Sequence, residues 1–70
     1  MTEYKLNKLT ELRLEVAKGK DVFVSLQRGS AEVFGAELSL GQRVNLGGQA
    51  VAVFTWEGAT LSVEGDPDVA

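Results

Sequence analysis

The amino-acid sequence predicts an all-β domain, a compact antiparallel sandwich or barrel of about eight short strands. Three observations carry this prediction. Apolar and polar residues alternate with a period of two in several runs, and no run has the 3.6-residue period of a helix. Eight glycines and one proline interrupt the 70-residue chain at short intervals. The chain is therefore divided into segments of strand length joined by turns.

The first half of the chain contains three predicted strands. Residues 4–9 alternate weakly and lose the pattern at their end, which predicts an edge strand. Residues 11–16 alternate charged and apolar residues without exception, as on a strand with one wet face. Residues 22–26 repeat that pattern, and residues 18–21, Lys-Gly-Lys-Asp, supply a turn. We therefore expect residues 11–16 and 22–26 to form a hairpin.

Glycines divide the middle of the chain. Residues 28–30 mark a turn, which is followed by a short apolar run at 31–34 and a short strand at 37–38. Gly35 lies between these runs and predicts a bulge or a sharp bend. Residues 44–46 then form another short alternating run.

The last part of the chain predicts the central strand. Residues 51–56 have apolar side chains on both faces, which is typical of a strand inside a sheet. Gly47-Gly48 predicts a hairpin between this strand and the one before it. Glu57-Gly58 predicts a two-residue turn into a strand at 61–64, and residues 65–68 predict a final turn.

Length and composition exclude several classes of protein. Seventy residues form one small domain, without room for an enzyme of ordinary size with its own buried substrate cleft. The absence of cysteine excludes a disulfide scaffold, and the absence of histidine removes the commonest zinc ligand and the usual general base. We therefore expect no catalytic residue, no metal site and no enzymatic activity in the domain by itself.

Charge and hydropathy argue against two kinds of partner. Residues 1–28 carry six Lys or Arg against four Asp or Glu, and residues 29–70 carry one against six, so the net charges are +2 and −5. A fold that mixes the two parts has a mildly acidic surface, which argues against direct binding of nucleic acid. The longest nearly uncharged stretch, residues 44–56, contains Asn, Gly-Gly and Gln and predicts no membrane span.

Few residues suggest specific chemistry. No pair of glycines is spaced and followed by Lys and Ser or Thr as a phosphate-binding loop requires. The acidic residues Glu64, Asp66 and Asp68 lack the loop length and closing glutamate of a calcium site, so a solvated turn is favoured. Trp56 lacks the basic neighbours of a base-stacking platform, and packing in the core or at its rim is favoured.

Three phrases of the sequence resemble a known family. They are Glu-Leu-Arg-Leu-Glu-Val at 11–16, Ala-Glu-Val-Phe-Gly-Ala-Glu-Leu at 31–38 and Val-Ala-Val-Phe-Thr-Trp-Glu-Gly at 51–58. In this order and spacing they resemble the amino-terminal domain of the eukaryotic polyribonucleotide 5′-hydroxyl kinase family, whose members are subunits of the pre-mRNA cleavage and polyadenylation machinery. The closing residues 63–70 resemble the end of that domain, so the resemblance covers nearly the whole chain from about Leu9.

The resemblance implies a fold, partners and a location. The fold is a small antiparallel β-sandwich, with residues 1–70 as the N-terminal domain of a longer chain. In the family this domain precedes a P-loop kinase domain, packs on it and helps to bind ATP from the base and ribose side. The implied partners are that kinase domain and, through the parent chain, subunits of the cleavage and polyadenylation factor. The implied location is the nucleus, and the isolated domain is expected to hold no cofactor.

The resemblance also implies one nucleotide-binding residue. It places Glu11 on the family's ATP-contacting glutamate, and a carboxylate can accept hydrogen bonds from an adenine amino group or ribose hydroxyls. The alternative is that Glu11 is an ordinary exposed strand glutamate. The family's second contact is a lysine immediately before the third phrase, where this sequence has Ala50. Gln49 is adjacent but would face the other side of a strand, so it replaces the lysine only through a bulge.

A second function stays open from the residues alone. A free-standing β-sandwich can bind another protein through an exposed sheet edge. A domain of this size has a marginal energy balance, and the apolar residues 69–70 follow a turn, where a further strand would begin. Both observations favour a module completed by a neighbour, which is either the rest of a longer chain or a separate protein.

Overall fold

The computed structural model of the protein describes residues 2–65 and residue 67. The predicted turn residues Asp66 and Asp68 and the apolar residues 69–70 lie outside the described residues. The described residues form no helix and eight strands, which confirms the all-β prediction. The strands are β1 Thr2–Leu6, β2 Thr10–Glu15, β3 Phe23–Gly29, β4 Glu32–Val33, β5 Ala36–Glu37, β6 Arg43–Asn45, β7 Ala50–Thr55 and β8 Ala59–Glu64.

The eight strands form two four-stranded sheets. The first sheet has the order β1-β8-β3-β6, and the second sheet has the order β2-β7-β4-β5. Neighbouring strands in both sheets pair antiparallel. The predicted edge strand is β1, which ends at Leu6, and the predicted central strand is β7, which lies between β2 and β4. The fold is a sandwich of two sheets and not a barrel.

The core lies between the sheets because each long strand buries alternate side chains. Leu12, Leu14 and Val16 are buried, and the charged residues between them are exposed. The second sheet adds Val33, Val51 and Val53 to the same cluster, and the first sheet adds Val24, Leu26, Leu61 and Val63. Burial of this apolar cluster is the main favourable contribution to the stability of the domain.

The predicted hairpin between residues 11–16 and 22–26 is wrong. β2 pairs with β7 along its whole length, whereas β3 pairs with β8 and β6 in the other sheet. The backbone N–H of Val16 donates to the carbonyl of Gln49 (2.9 Å), and the N–H of Leu46 donates to the carbonyl of Val22 (2.7 Å). The connection between β2 and β3 therefore crosses from the second sheet to the first. Each of the two strands has partners that are distant in sequence, and β2 and β3 do not pair with each other.

The predicted hairpin at Gly47-Gly48 is wrong for the same reason. β6 belongs to the first sheet and β7 to the second, so this connection also crosses the sandwich. A Cβ atom at position 47 would lie 2.6 Å from the carbonyl oxygen of Lys20. Glycine is needed there because the two crossing connections run close together, and not because a hairpin turns there.

Gly35 lies in a sharp bend, as predicted, but the bend is not a bulge. Phe34 and Gly35 form a two-residue connection between β4 and β5, and both have positive φ values, 55° and 74°. Two positive φ values are typical of a type I′ hairpin turn. The irregularity in strand pairing lies instead in β3, between Leu26 and Arg28.

One buried hydroxyl links the connection after β3 to the connection after β7. Thr55 is fully buried. Its Oγ1 donates a hydrogen bond to the carbonyl of Ser30 (2.6 Å) and accepts one from the backbone N–H of Gly58 (2.8 Å). The hydroxyl therefore satisfies the backbone of the turn after β3 and of the turn after β7 at once.

Thr55→Val keeps the shape of the side chain and removes this hydroxyl. We expect the free energy of unfolding to fall by about 2 to 4 kcal/mol, because the Gly58 N–H and the Ser30 carbonyl each lose a partner. Thr55→Ser is the matched control, since it keeps the hydroxyl and loses one methyl group at a cost of about 1 kcal/mol. Urea denaturation of the three proteins measures the difference. Equal losses in both variants would contradict the role given to the hydroxyl.

Candidate functional site

Glu11 lies on β2 with its side chain directed away from the core. β2 is an edge strand of the second sheet, and its residues 11, 13 and 15 are exposed while 12 and 14 are buried. This orientation was expected from the alternating sequence and is confirmed. It leaves the Glu11 carboxylate accessible from outside the domain, with 45% of the side chain exposed.

Strand pairing places Glu11 at one end of a row of residues that continues through β7, β4 and β5. Glu11 is opposite Phe54 of β7, and Phe54 is in turn opposite Glu32 of β4. We call this surface the outer face. In β2, β4 and β7 its members alternate with buried residues, and β5 adds a fourth carboxylate. The members are Glu11, Arg13, Glu15, Glu32, Glu37, Ala50, Ala52 and Phe54.

Aromatic side chains lie at one end of the outer face. The rings of Phe54 and Trp56 meet edge to face, with centroids 5.0 Å apart and an angle of 85° between their planes. Trp56 is 62% exposed, so it packs at the rim and not in the core. Leu9 is equally exposed and donates its backbone N–H to the carbonyl of Thr55 (2.9 Å). We call Leu9, Phe54 and Trp56 the apolar patch, because Phe54 is opposite Glu11 and the backbone of Leu9 is hydrogen-bonded to the residue before Trp56.

An open hollow lies at the other end of the outer face. Ala50 and Ala52 of β7 have short side chains opposite Glu15 and Arg13. The hollow has a volume of about 390 Å³ and is lined by Arg13, Leu14, Glu15, Ala50, Val51 and Ala52. The small side chains of β7 therefore leave space beside the long side chains of β2.

Among the described residues of the outer face, Arg13 is the one cation, and it is paired with Glu11. The Nε atom of Arg13 lies 3.4 Å from Oε1 of Glu11 in an ion pair. The Arg13 side chain is 81% exposed, so this pair is close to solvent. Exposed pairs of this kind contribute little to stability, and the contact matters mainly because it sets where the two charged groups lie.

Position 50 lies on the same face as Glu11, as the resemblance requires. Ala50 pairs with Glu15, four residue pairs along the strands from the pair of Glu11 and Phe54. The pairing of β2 with β7 runs from Thr10 to Glu15 without a shift of register. No bulge within these pairs brings Gln49 into the place of Ala50, so the outer face has no side-chain cation at this position.

The alternating sequence predicted the exposure of Glu11, Arg13 and Glu15, but it did not predict the aromatic neighbour of Glu11. Phe54 and Glu32 are distant from Glu11 in sequence, and only the register of β2, β7 and β4 places them on one row. The apolar residues on both sides of residues 51–56 were the available signal. Within the described residues, no group of three or more acidic residues is arranged to hold a metal ion, and no helix is long and apolar enough to span a membrane.

Comparison with known proteins assigns the class. Residues 5–70 match the family model of the N-terminal β-sandwich domain of polyadenylation factor. The chain therefore belongs to this family, as the three sequence phrases predicted. The match covers all eight described strands except the start of β1.

Individual relatives carry more specific names. The chain is 43% identical over 70 residues to the polyribonucleotide 5′-hydroxyl-kinase Clp1 of Danio rerio, covering 99% of this chain and 16% of the relative. It is 46% identical over 71 residues to the CLP1 homolog of Culex quinquefasciatus, covering 99% of this chain and 17% of the relative. The chain thus spans 16 to 17% of the length of these curated relatives.

Solved structures share the fold. Clp1p in a wild-type complex with Pcf11p matches with a TM-score of 0.84 at 17% identity, over 99% of this chain and 16% of that chain. A second structure, which describes an extended Pcf11p and Clp1p interface and ATP loss in a point mutant, matches with a TM-score of 0.85 at 17% identity and the same coverage. At this identity the likeness shows that the sandwich is the same fold.

The exposed position of Glu11 generates a prediction about stability. We expect Glu11→Ala in the 70-residue chain to change the free energy of unfolding by less than about 0.5 kcal/mol, because an exposed ion pair contributes little. Urea denaturation monitored by Trp56 fluorescence measures this change. A loss of several kcal/mol would show that Glu11 has a structural role.

Proposed function

We propose that the chain is the accessory N-terminal domain of a polynucleotide 5′-hydroxyl kinase-like subunit that acts in pre-mRNA 3′-end cleavage and polyadenylation in the nucleus. The domain packs on a P-loop kinase core and contacts ATP from the base and ribose side. The family assignment and the names of the relatives support this proposal. The observation that carries it is an exposed carboxylate, Glu11, beside an exposed apolar patch on one open sheet face.

Glu11 supplies the contact with the nucleotide. An ionised carboxylate accepts hydrogen bonds and donates none, so it matches the amino group of adenine and the ribose hydroxyls. The phosphates are bound by another part of the parent, since the 70 residues contain no phosphate-binding loop. The domain is then one wall of a nucleotide site and not a catalyst by itself.

The apolar patch supplies the contact with the kinase core. Trp56 and Leu9 are among the four large apolar residues that are exposed in the described part of the chain. A half-buried Phe54 extends their surface toward Glu11. Burial of aromatic surface stabilises domain interfaces, so this patch positions Glu11 next to the core. Other subunits, such as one related to the Pcf11p that binds Clp1p, join through the parent chain.

A sheet-edge binding module is the second candidate function. β2 is an edge strand of six residues, which gives a peptide strand a place to pair. The exposed side chains of Glu11, Arg13 and Glu15 alternate along that edge, and charges on an edge strand oppose such pairing. The accessory-domain function is therefore favoured.

Glu11→Ala in the full-length parent tests the nucleotide contact. We expect the Kd for ATP to rise by about tenfold or more, because a hydrogen bond to a charged group is lost. Glu3→Ala is the matched control, since it removes the same charge from β1 in the other sheet. Isothermal titration measures both. The isolated 70-residue chain should bind no ATP, since one-sided contact with a base leaves the phosphates in water. Equal ATP affinity in Glu11→Ala and wild type would remove the assignment.

Trp56→Ser tests docking of the apolar patch. In the isolated chain we expect a loss of only about 1 kcal/mol, from the edge contact with Phe54. In the full-length parent we expect the melting temperature of this domain to fall further, because the interface with the core is weakened. Leu40→Ser is the control, since Leu40 is as exposed but lies outside the apolar patch. Calorimetry of both variants decides the matter, and identical effects of the two substitutions would argue against docking at Trp56.

A further inference from the structure

We propose that Arg13 is the nucleotide-contacting cation of this domain, acting beside Glu11 on a purine nucleoside triphosphate. The inference rests on the proposed function, because it assigns a further residue of the same site. Three observations support it, which are the charge balance of the outer face, the position of the guanidinium group and the hollow beside it.

The charge balance of the outer face favours a contact between the nucleotide and the cation of this face. This face carries four carboxylates, Glu11, Glu15, Glu32 and Glu37, and Arg13 is its one positive side chain among the described residues. A nucleoside triphosphate carries several negative charges, and a surface of net negative charge repels it even where that surface contacts only the base and ribose. A cation next to Glu11 offsets this repulsion at the point where the nucleotide approaches.

The guanidinium group is placed to serve two partners. Its Nε atom is 3.4 Å from the Glu11 carboxylate, and the side chain is 81% exposed. Arginine has five N–H donors in a planar fork, so the pair with Glu11 leaves terminal donors for another acceptor. Glu11 and Arg13 thus offer an acceptor and a donor side by side, which suits a ligand that carries both kinds of group, such as a purine with its ribose.

The hollow gives a ligand access to Arg13. Ala52 is opposite Arg13 and Ala50 lies diagonally across from it, so the neighbouring strand presents only methyl groups there. The volume of about 390 Å³ is lined by Arg13 and Glu15 as well as by the two alanines. A planar ring can therefore approach the guanidinium group from the β7 side without displacing a large side chain.

The test is ATP binding by the full-length parent, measured by isothermal titration. We expect Arg13→Gln to raise the Kd for ATP by about tenfold. Arg13→Gln with Ala50→Lys should recover most of this loss, because position 50 is a diagonal neighbour on the same face and a lysine there returns a cation to the hollow. Arg43→Gln is the matched control, because Arg43 is an exposed arginine in the first sheet, 3.1 Å from Glu64.

Each outcome has a distinct meaning. If Glu11→Ala weakens ATP binding and Arg13→Gln does not, the inference is wrong and the proposed function stands. If neither variant weakens binding, the proposed function fails and the inference fails with it. If Arg13→Gln weakens binding but Ala50→Lys restores nothing, a cation in the hollow is not what the nucleotide requires, and the inference is overturned. Unchanged urea denaturation of Arg13→Gln in the 70-residue chain checks that the variant folds.

Discussion

The pairing of β2 with β7 is the constraint on which the rest of the site depends. Six consecutive residue pairs from Thr10 to Glu15 run without a shift. This register buries Leu12 and Leu14 and directs Glu11 and Arg13 outward. A slip of one residue would exchange the two faces, exposing leucines and burying charges. The hydrophobic core therefore fixes the geometry of a surface that it does not touch.

Sequence periodicity reports which face of a strand is buried, and for that reason the strands and the exposure of Glu11 could be predicted. It does not report which strand is the neighbour. Both predicted hairpins were wrong on this point, because the connections at 16–22 and 46–49 cross between sheets. The glycine at position 47 does mark a structural constraint, but the constraint is the close approach of the Lys20 carbonyl and not a hairpin turn. Which strands pair with each other depends on how distant parts of the chain close the sandwich, and a local sequence pattern gives no information on this.

The residues of the candidate site also fall into two groups, those that the alternating sequence predicts and those that strand pairing brings together. Glu11 and Arg13 are adjacent on one strand, so their shared face follows from alternation alone. Phe54 and Glu32 reach that face through two further strand pairings, and their place beside Glu11 could not be predicted from spacing. The resemblance of three phrases to a kinase family correctly assigned the domain, since residues 5–70 match that family's N-terminal sandwich. The nucleotide contact of Glu11 is a proposal, which rests on the resemblance and on the exposure of the Glu11 carboxylate.

The direction of β8 places Gly65 and Trp56 far apart in the sandwich. β8 starts at Ala59, near the Trp56 end of the sandwich, and runs to Glu64, whose pairing partner Phe23 lies by the crossing connections. A Cβ atom at Gly65 would lie 2.5 Å from the carbonyl oxygen of Asp21, so the backbone of Gly65 packs against that end of the sandwich. A six-residue strand spans about 20 Å. Gly65 and Trp56 therefore lie at opposite ends of the sandwich, and a partner surface that covers Trp56 reaches Gly65 only if it spans the whole length of β8.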